Sequence, residues 1–358
     1  MRLLFVSPSY YPHVGGVEYV VKSVAERLAR RGHEVTVLCG GSSIEKPREE
    51  LINGIRVMRW PVWNRGNAYH IPRMRSSLEE WLLESVKSYD IVHFHSVHSI
   101  FTVYSLGIVN RLSVRRVVTP YYHGTGHTLV RRFLWRLWRL YVRRLLSKSD
   151  IVHVVSKYEA ELVERDFRVK AVPIENGVEE WIPSIEWRPE GYVMYSGRIE
   201  KYKNIDRLAS IVKILNTRYG LELKLNIYGS GSYLSKLCKH LDKIRVEYSI
   251  NPFQEFEKYI VTLSRASLFG LLSEKESYPQ SVNEANAIGV PVVVVEPWGY
   301  NFQGRSRTLI TSLKKNNEVI ADEVIAFLGE SVKQQKSDVP SWSEVVDRYT
   351  RILYEERY

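Results

Sequence analysis

The sequence predicts an α/β protein of two doubly wound domains, each built around a parallel sheet. Short apolar runs alternate with segments of helical spacing, an order typical of parallel sheets with helices on both faces. This alternation begins again after Asn176. The chain has 358 residues, more than one hydrophobic core usually holds. We therefore predict a first domain at residues 1–175, a second at 176–339, and a terminal helix in 340–358.

The elements of the first domain follow one another in a regular order. An apolar run at residues 3–7 predicts a buried strand, and a loop containing Gly15 and Gly16 leads into a helix at residues 17–31. Gly32 is a typical helix end. Later apolar runs predict strands at residues 34–38, 90–95, 117–120 and 151–155.

The second domain repeats this order. Apolar runs predict strands at residues 192–196, 223–228, 267–272 and 290–295, and a helix from Asn204 follows the first strand. Three prolines between residues 173 and 189 mark the domain boundary. In the terminal segment, Ser341 and Glu344 have the spacing of a capping box, which predicts a helix start.

Composition and cysteine content indicate a soluble protein, with 44% hydrophobic and 25% charged residues. No apolar run approaches the roughly 18 residues that a spanning helix needs, and the N-terminal run is too short for a signal peptide. Cys39 and Cys238 lie far apart in sequence, which argues against a disulfide framework and a cysteine metal site. The expected compartment is the cytoplasm.

The formal net charge of +11 lies in the first half of the chain, and no acidic residue occurs between Asp90 and Asp150. Such an excess favours an anionic partner. On a helix over residues 128–148, four arginines would form one stripe at i, i+4, i+7 and i+11: Arg132, Arg136, Arg139 and Arg143. With Trp135 and Trp138 beside them, they predict an interfacial helix on an anionic membrane. A core helix with a solvated arginine face and a nucleic-acid surface are the alternatives, although no nucleic-acid motif is present.

Two glutamates of the second domain, Glu276 and Glu284, have seven residues between them. A polar, turn-rich segment carries the first, and we place the second about two turns inside a short helix that ends at Gly289. Amides at a helix N-terminus favour anions, and phosphate is a common guest. The pair therefore predicts a site for a phosphorylated ligand. A solvated loop acid beside an ordinary helical glutamate is the alternative.

Two cations, Arg198 and Lys203, flank the loop after the first strand of the second domain. Arginine binds phosphate oxygens in a fork and lysine acts as a point charge, so the pair suits a diphosphate. Scattered charge on a surface loop is the alternative.

Glycines and one histidine mark further strand ends. Gly15-Gly16 and Gly229-Ser-Gly231 would let phosphate approach the backbone, although a purely structural turn explains them equally well. His123 follows a strand of the first domain, where an imidazole can exchange hydrogen bonds with a ligand. His93, His95 and His98 lack a nearby carboxylate or cysteine in the sequence, so that no metal site is predicted.

Taken together, these segments resemble glycosyltransferase family 4, the retaining glycosyltransferases of the GT-B fold. Glu276 and Glu284 resemble the family's E-x7-E motif, and the loop from Arg198 to Lys203 resembles its G-R-x(4)-K-G pattern, with Asn204 in place of the final glycine. The resemblance covers nearly the whole chain. It implies two Rossmann-like domains facing a central cleft, an acceptor-binding first domain, a donor-binding second domain, and a C-terminal helix that crosses back to the first.

The resemblance also implies a reaction. A sugar would move from a UDP- or GDP-sugar to a hydroxyl of a lipid-linked glycan or glycolipid, at the cytoplasmic face of an anionic membrane, without metal or cofactor. Arg198 and Lys203, with amides near Gln280 and Ser281, would stabilise the leaving diphosphate. The remaining donor contacts would come from His123 and Glu276 to the sugar, Glu284 to the ribose, and the turns at Gly15, Gly16 and Gly229.

One departure bears on specificity. The family often has Glu-Gly-Phe-Gly where this chain has Glu276-Ser-Tyr-Pro279, and proline supplies no N–H to the sugar. The alternatives to a transferase are a nucleotide-sugar epimerase on the same fold and a non-catalytic membrane-binding scaffold. The retained cations and glutamates speak against the scaffold, and the basic aromatic helix favours the transferase.

Overall fold

A computed structural model describes residues 1–13, 15–64, 69–124, 129–305, 307–329 and 338–355, with the backbone alone for residues 129–132. The chain forms two compact units. The first comprises Met1–Asn176 together with Trp342–Tyr358, and the second comprises Gly177–Ser341.

The described part of the first unit contains a nine-stranded sheet. Its strands are β1 Arg2–Ser7, β2 Glu34–Gly41, β3 Arg48–Ile52, β4 Ile55–Trp63, β5 Ile71–Pro72, β6 Ile91–His95, β7 Arg115–Thr119, β8 Ile151–Val154 and β9 Val172–Pro173. They lie in the order β3-β4-β2-β1-β6-β7-β8-β9, with β5 paired to β4. The pairs β3/β4 and β4/β5 are antiparallel and the others parallel. Strand order reverses between β1 and β6, where ligands collect in doubly wound sheets.

Helices cover this sheet. They are α1 Gly16–Arg30, α2 Arg75–Ser85, α3 Ile100–Val109, α4 Leu129–Leu146 and α5 Lys157–Phe167, joined later in the chain by α11 Trp342–Arg348 and a π-helical segment Tyr349–Glu355. Ser156 caps α5 by accepting the Glu159 N–H at 3.0 Å.

The terminal helix α11 packs on α1. Trp342 donates from Nε1 to the Tyr19 hydroxyl at 3.3 Å, and Arg31 pairs with Asp347 at 2.9 Å. This contact confirms the predicted return of the C-terminal helix to the first unit.

The second unit has a fully parallel sheet. Its strands are β10 Tyr192–Ser196, β11 Lys224–Tyr228, β12 Tyr248–Asn251, β13 Leu268–Leu271, β14 Val292–Val295 and β15 Thr308–Thr311, in the order β12-β11-β10-β13-β14-β15. The helices are α6 Ile205–Tyr219, α7 Leu234–Ile244, α8 Phe256–Ser264, α9 Gln280–Ile288 and α10 Asn317–Gly329. Strand order reverses between β10 and β13. Both units are therefore Rossmann-like, and the predicted fold class is confirmed.

Candidate functional site

The loops that follow β10 and β13 meet at the point where strand order reverses in the second unit. Glu274 donates its backbone N–H to the Tyr202 carbonyl at 2.9 Å. Asn204 donates from Nδ2 to the Leu272 carbonyl, also at 2.9 Å. Backbone and side-chain bonds thus hold the loop that carries both predicted cations against the loop that carries the first predicted glutamate.

Lys203 and Glu276 form an ion pair between these loops. The Lys203 Nζ contacts Glu276 Oε1, and the two side chains are only 11% and 16% exposed. Charges removed from water to this extent are stable only when paired. The structure therefore brings together one predicted cation and one predicted carboxylate that are 73 positions apart in the chain.

Tyr202 contacts both cations, Arg198 and Lys203, and the sequence analysis missed this residue. Arg198 is exposed and donates from Nη2 to the Tyr202 hydroxyl at 3.1 Å. The Lys203 ammonium lies 5.1 Å from the centroid of the same ring. An aromatic residue between two cations was the available sequence signal.

The glycine turn after β11 is required by backbone packing. A Cβ at Gly229 would lie 2.0 Å from the Gly197 carbonyl oxygen, and one at Gly231 would lie 2.2 Å from that of Ile199. Ile199 donates its N–H to the Ser230 carbonyl at 2.8 Å. The structural explanation therefore accounts for both glycines, and they also leave this edge of the sheet clear of side chains.

Phe253 borders that turn and was also missed. Its ring is 48% exposed, and its Cζ lies 3.4 Å from the Cβ position of Gly229. An exposed flat ring at the carboxyl edge of a parallel sheet can stack on a nucleotide base.

Glu284 lies one turn inside α9, because that helix begins at Gln280. The prediction of about two turns was wrong. The side chain is 4% exposed, and this burial raises the pKa of its carboxyl to about 8, partly offset by a hydrogen bond with Tyr259 and reinforced by the charge of Glu179. The first residues of α9, Gln280 and Ser281, are half-buried.

The segment that departs from the family pattern is held firmly. Tyr278 is buried, and its ring stacks on Phe302 with centroids 5.0 Å apart. Arg305 donates from Nη2 to the Tyr278 hydroxyl at 2.8 Å and from Nη1 to Asn283 Oδ1 at 2.5 Å. Pro279 directly precedes α9. These contacts fix the path between Glu276 and Glu284, and no sequence pattern pointed to Arg305.

In the first unit, Gly15 and Gly16 lie at the N-terminus of α1, as predicted, but a carboxylate already covers this turn. A Cβ at Gly15 would lie 2.2 Å from Glu18 Oε2. Glu18 is buried, and burial raises its pKa. An anion could approach this helix end only if Glu18 were protonated or turned away.

His123 is half-buried in the loop after β7, and its ring stacks on that of His98. His93 and His95 are buried and stack on each other at 4.2 Å. Within the described ranges, no group of three or more His, Cys, Asp or Glu side chains could hold a metal ion.

The faces of α4 differ from the prediction. Trp135 and Trp138 do not stand on the outer surface: both are half-buried against the core of the first unit, and Trp138 donates from Nε1 to the Val97 carbonyl at 3.0 Å. Arg139 turns inward to pair with Asp166 at 3.2 Å. Arg136 is exposed, Arg143 is half-buried, and the side chain of Arg132 lies outside the described residues.

The outer surface of α4 is apolar instead. Five large side chains, between 44% and 63% exposed, form what we call the α4 ridge: Phe133, Leu134, Leu137, Leu140 and Tyr141. Arg136 and Arg144 are exposed on the same helix. Among the helices that the structure describes, none is long and apolar enough to cross a membrane.

Two family models match the chain in succession. Glycosyltransferase Family 4 matches residues 14–180, and Glycosyl transferases group 1 matches residues 178–336.

Individual relatives are similar over most of the chain. A GDP-mannose-dependent alpha-mannosyltransferase of Mycolicibacterium smegmatis is 25% identical over 84% of this chain and 80% of its own length. A phosphatidyl-myo-inositol mannosyltransferase of Mycobacterium leprae is 21% identical over 98% of this chain and 93% of its own.

Solved structures share the fold. The sucrose-phosphate synthase of Thermosynechococcus elongatus superposes with a TM-score of 0.77 at 15% identity, over 98% of each chain. A glycosyltransferase from Rickettsia africae gives a TM-score of 0.73 at 15% identity, over 99% of each chain. At this identity the likeness shows the fold alone.

Proposed function

Because the chain belongs to glycosyltransferase family 4, we propose that this glycosyltransferase moves a sugar, with retention, from a UDP- or GDP-sugar to a hydroxyl of a lipid-linked glycan or glycolipid at a membrane surface. The observation that carries the proposal is the buried Lys203–Glu276 pair, which joins the two loops at the reversal point of the second sheet. Ligands of doubly wound sheets bind at this point.

Arg198 and Lys203, the two cations of the loop after β10, stabilise the leaving group. As the bond from sugar to phosphate breaks, negative charge grows on the nucleotide diphosphate, and fixed cations stabilise that charge most where water is excluded. Arg198, exposed and held by Tyr202, meets the diphosphate first. Lys203 then shares its charge between the diphosphate and Glu276. The N-terminus of α9, at Gln280 and Ser281, adds its dipole.

The two glutamates bind the two sugar rings of the donor, the transferred sugar and the ribose. Glu276 accepts hydrogen bonds from hydroxyls of the transferred sugar, and Glu284 accepts them from the ribose, next to a base that stacks on Phe253. Attack comes from the face that the diphosphate leaves, and the departing phosphate takes the proton of the acceptor hydroxyl. This path needs neither a metal ion nor an enzyme-bound sugar.

The names of the relatives suggest which donor to test first. One is a GDP-mannose-dependent alpha-mannosyltransferase. The sugar of GDP-mannose is α-linked to phosphate, so that an α-linked product would retain the configuration.

The proposed lipid acceptor is supported by the exposed side chains of α4. The α4 ridge offers large apolar side chains to lipid, and Arg136 and Arg144 offer charge to anionic headgroups on the cytoplasmic face. Phosphatidyl-myo-inositol is part of the name of one relative. A lipid acceptor of this kind would present its hydroxyls at the membrane surface.

The test is a transfer assay with the intact chain. Radiolabelled GDP-mannose, UDP-glucose and UDP-N-acetylglucosamine are incubated with anionic vesicles that contain a cell lipid extract. We expect one donor to label the lipid fraction, and its glycosidic bond to have the anomeric configuration of the donor. Inversion would contradict the retaining mechanism. A changed sugar released without acceptor would instead identify an epimerase.

A matched pair of variants assigns the activity to the site. Arg198→Ala removes an exposed cation of the loop and should reduce transfer at least tenfold. Arg218→Ala removes an exposed arginine of α6 that pairs with Asp322, and should leave transfer unchanged. Equal activity in the two variants would contradict the assignment.

A further inference from the structure

His98 occupies the loop between β6 and α3, where strand order reverses in the first unit. Its Nε2 lies 3.1 Å from the Tyr121 carbonyl oxygen. Because a carbonyl oxygen only accepts, His98 carries the proton on Nε2 and donates it. Tyr121 has a φ of 50°, in the left-handed region that non-glycine residues rarely adopt. The hydrogen bond thus supports a strained residue two positions before His123.

The imidazole of His98 also lies flat against that of His123. The ring centroids are 4.4 Å apart and the planes differ by 13°. Face-to-face contact at this distance leaves the His123 ring little freedom to rotate about its side-chain bonds.

Side chains of α4 hold His98 in turn. Trp135 meets its ring edge-on, with centroids 4.8 Å apart and an angle of 88°. Trp138 holds the backbone of the preceding residue through the Val97 carbonyl. Both tryptophans pack against the core of the first unit. The support for His98 is therefore part of the rigid body of the unit.

The loop is held from its other side by Glu159 of α5. This fully buried carboxylate accepts the backbone N–H of Tyr122 at 2.5 Å and that of Val155 at 3.0 Å. Glu159 thus holds the backbone of Tyr122, and His98 contacts the residues on either side of it, Tyr121 and His123.

We propose that His98 is a positioning residue for His123: it sets the plane of the His123 ring and the path of the loop that carries it. The inference rests on the proposed contact of His123 with the transferred sugar. An imidazole that is already oriented loses less freedom when the sugar arrives, and a shift of about 1 Å in such a group is expected to slow a reaction as much as 100-fold. Trp135 and Trp138, predicted for the membrane surface, act here as the support of His98.

The kinetic test is a double-mutant cycle on the intact chain, with the nucleotide-sugar that the transfer assay identifies. His98→Ala should lower kcat at least tenfold, with little change in the Kd of the donor nucleotide. In a His123→Ala background the same substitution should have no further effect. An equal loss in both backgrounds would show a general structural role and overturn the inference, as would full activity of His98→Ala.

Two further variants sharpen this result. His98→Phe keeps a flat ring in contact with His123 and should retain clearly more activity than His98→Ala; equal impairment would overturn the role of the ring contact. His240, a half-buried histidine of α7 in the second unit, is the control, and His240→Ala should leave kcat unchanged.

A second readout needs no substrate. The stacked His98 ring shields the ring protons of His123, so that in protein labelled with ¹³C-histidine the His123 Cε1–H resonance should move downfield in His98→Ala. An unmoved resonance would overturn the contact. Failure of the proposed function would look different: the wild type would transfer no sugar, or His123→Ala would transfer it at the normal rate, whatever the resonance does.

Discussion

Among single residues, Glu284 carries the most distinctive chemistry. Its burial in α9 raises the pKa of the carboxyl to about 8, so most molecules hold it protonated at pH 7. Ribose hydroxyls donate best to the ionised form. Binding of the donor should therefore expel the proton, and affinity should fall as the pH drops below about 8.

This dependence is measurable by calorimetric titration of the cognate nucleotide-sugar at pH 6, 7 and 8. We expect the Kd to rise by up to about tenfold for each pH unit below 8, the limit for one coupled proton. Glu284→Gln, which cannot ionise, should show a flat profile. A flat profile in the wild type, or an equal slope in both proteins, would contradict the assignment of Glu284 to the ribose.

At the same scale, sequence spacing could single out the charged residues of the candidate site but not their partners. The seven-residue interval identified Glu276 and Glu284, and the loop after β10 identified Arg198 and Lys203. The pairing of Lys203 with Glu276 depends on two loops that are neighbours only because β10 and β13 are adjacent in the sheet. Arg305 has no such local pattern, and the sequence signal for Tyr202 is its place between Lys201 and Lys203.

Among the elements, α4 shows the limit of a periodic pattern. Helical spacing predicted a helix at residues 128–148, and α4 spans Leu129–Leu146. The pattern did not identify the outer face, because arginines and apolar residues both recur around the helix. Contacts with the rest of the unit determine which face of α4 is buried: Trp138 donates a hydrogen bond to the Val97 carbonyl, and Arg139 pairs with Asp166.

The exposed α4 ridge leads to a specific prediction for membrane binding. Leu137 is 57% exposed, so that Leu137→Glu should fold normally. The substitution removes a leucine that would be buried in lipid on binding and adds a charge that anionic headgroups repel. We expect at least about a tenfold loss of affinity for the vesicles. Co-sedimentation with phosphatidylglycerol vesicles measures this loss.

Val319, 40% exposed on α10 of the second unit, supplies the matched control. Val319→Glu should bind the vesicles like the wild type. If Leu137→Glu also binds unchanged, the ridge does not contact the membrane.

Strands were predictable to the degree that they are buried. The apolar runs located nine strands within a few residues: β1, β2, β6, β7, β8, β10, β11, β13 and β14. The sequence analysis missed β4, whose buried apolar residues are interrupted by Arg56 and Arg59. It also missed five strands at sheet edges, most of whose side chains are half-buried or exposed: β3, β5, β9, β12 and β15. Such edge strands lack a continuous apolar run, and their pairing is decided by the sheet beside them.

For the whole molecule, the recurring feature is strand order. Both units reverse order after their first strand, and in each unit the loops at the reversal hold candidate residues: Gly15, Gly16 and His98 in the first, Arg198 and Glu276 in the second. The chain passes from the first unit to the second after Asn176 and returns to the first after Ser341. Val178 and Ser341, which lie close to these two crossings in sequence, form a parallel β-bridge. The two-domain organisation was predictable from the restart of the pattern after Asn176, whereas this pairing was not.

The central claim is that the loops after β10 and β13, where strand order reverses in the second unit, bind a nucleotide-sugar. The most direct measurement is thermal unfolding of the intact protein with a panel of UDP-, GDP- and ADP-sugars, repeated on Arg198→Ala, Glu284→Ala and the control Arg218→Ala. At 100 times the Kd, one nucleotide class should raise the Tm of the wild type and of the control by about 4 to 8 °C, the lower value if the whole chain unfolds together and the higher if the second unit unfolds alone. The same class should give at most about half of that shift in Arg198→Ala and Glu284→Ala. No shift with any class, or equal shifts in all four proteins, would contradict the claim.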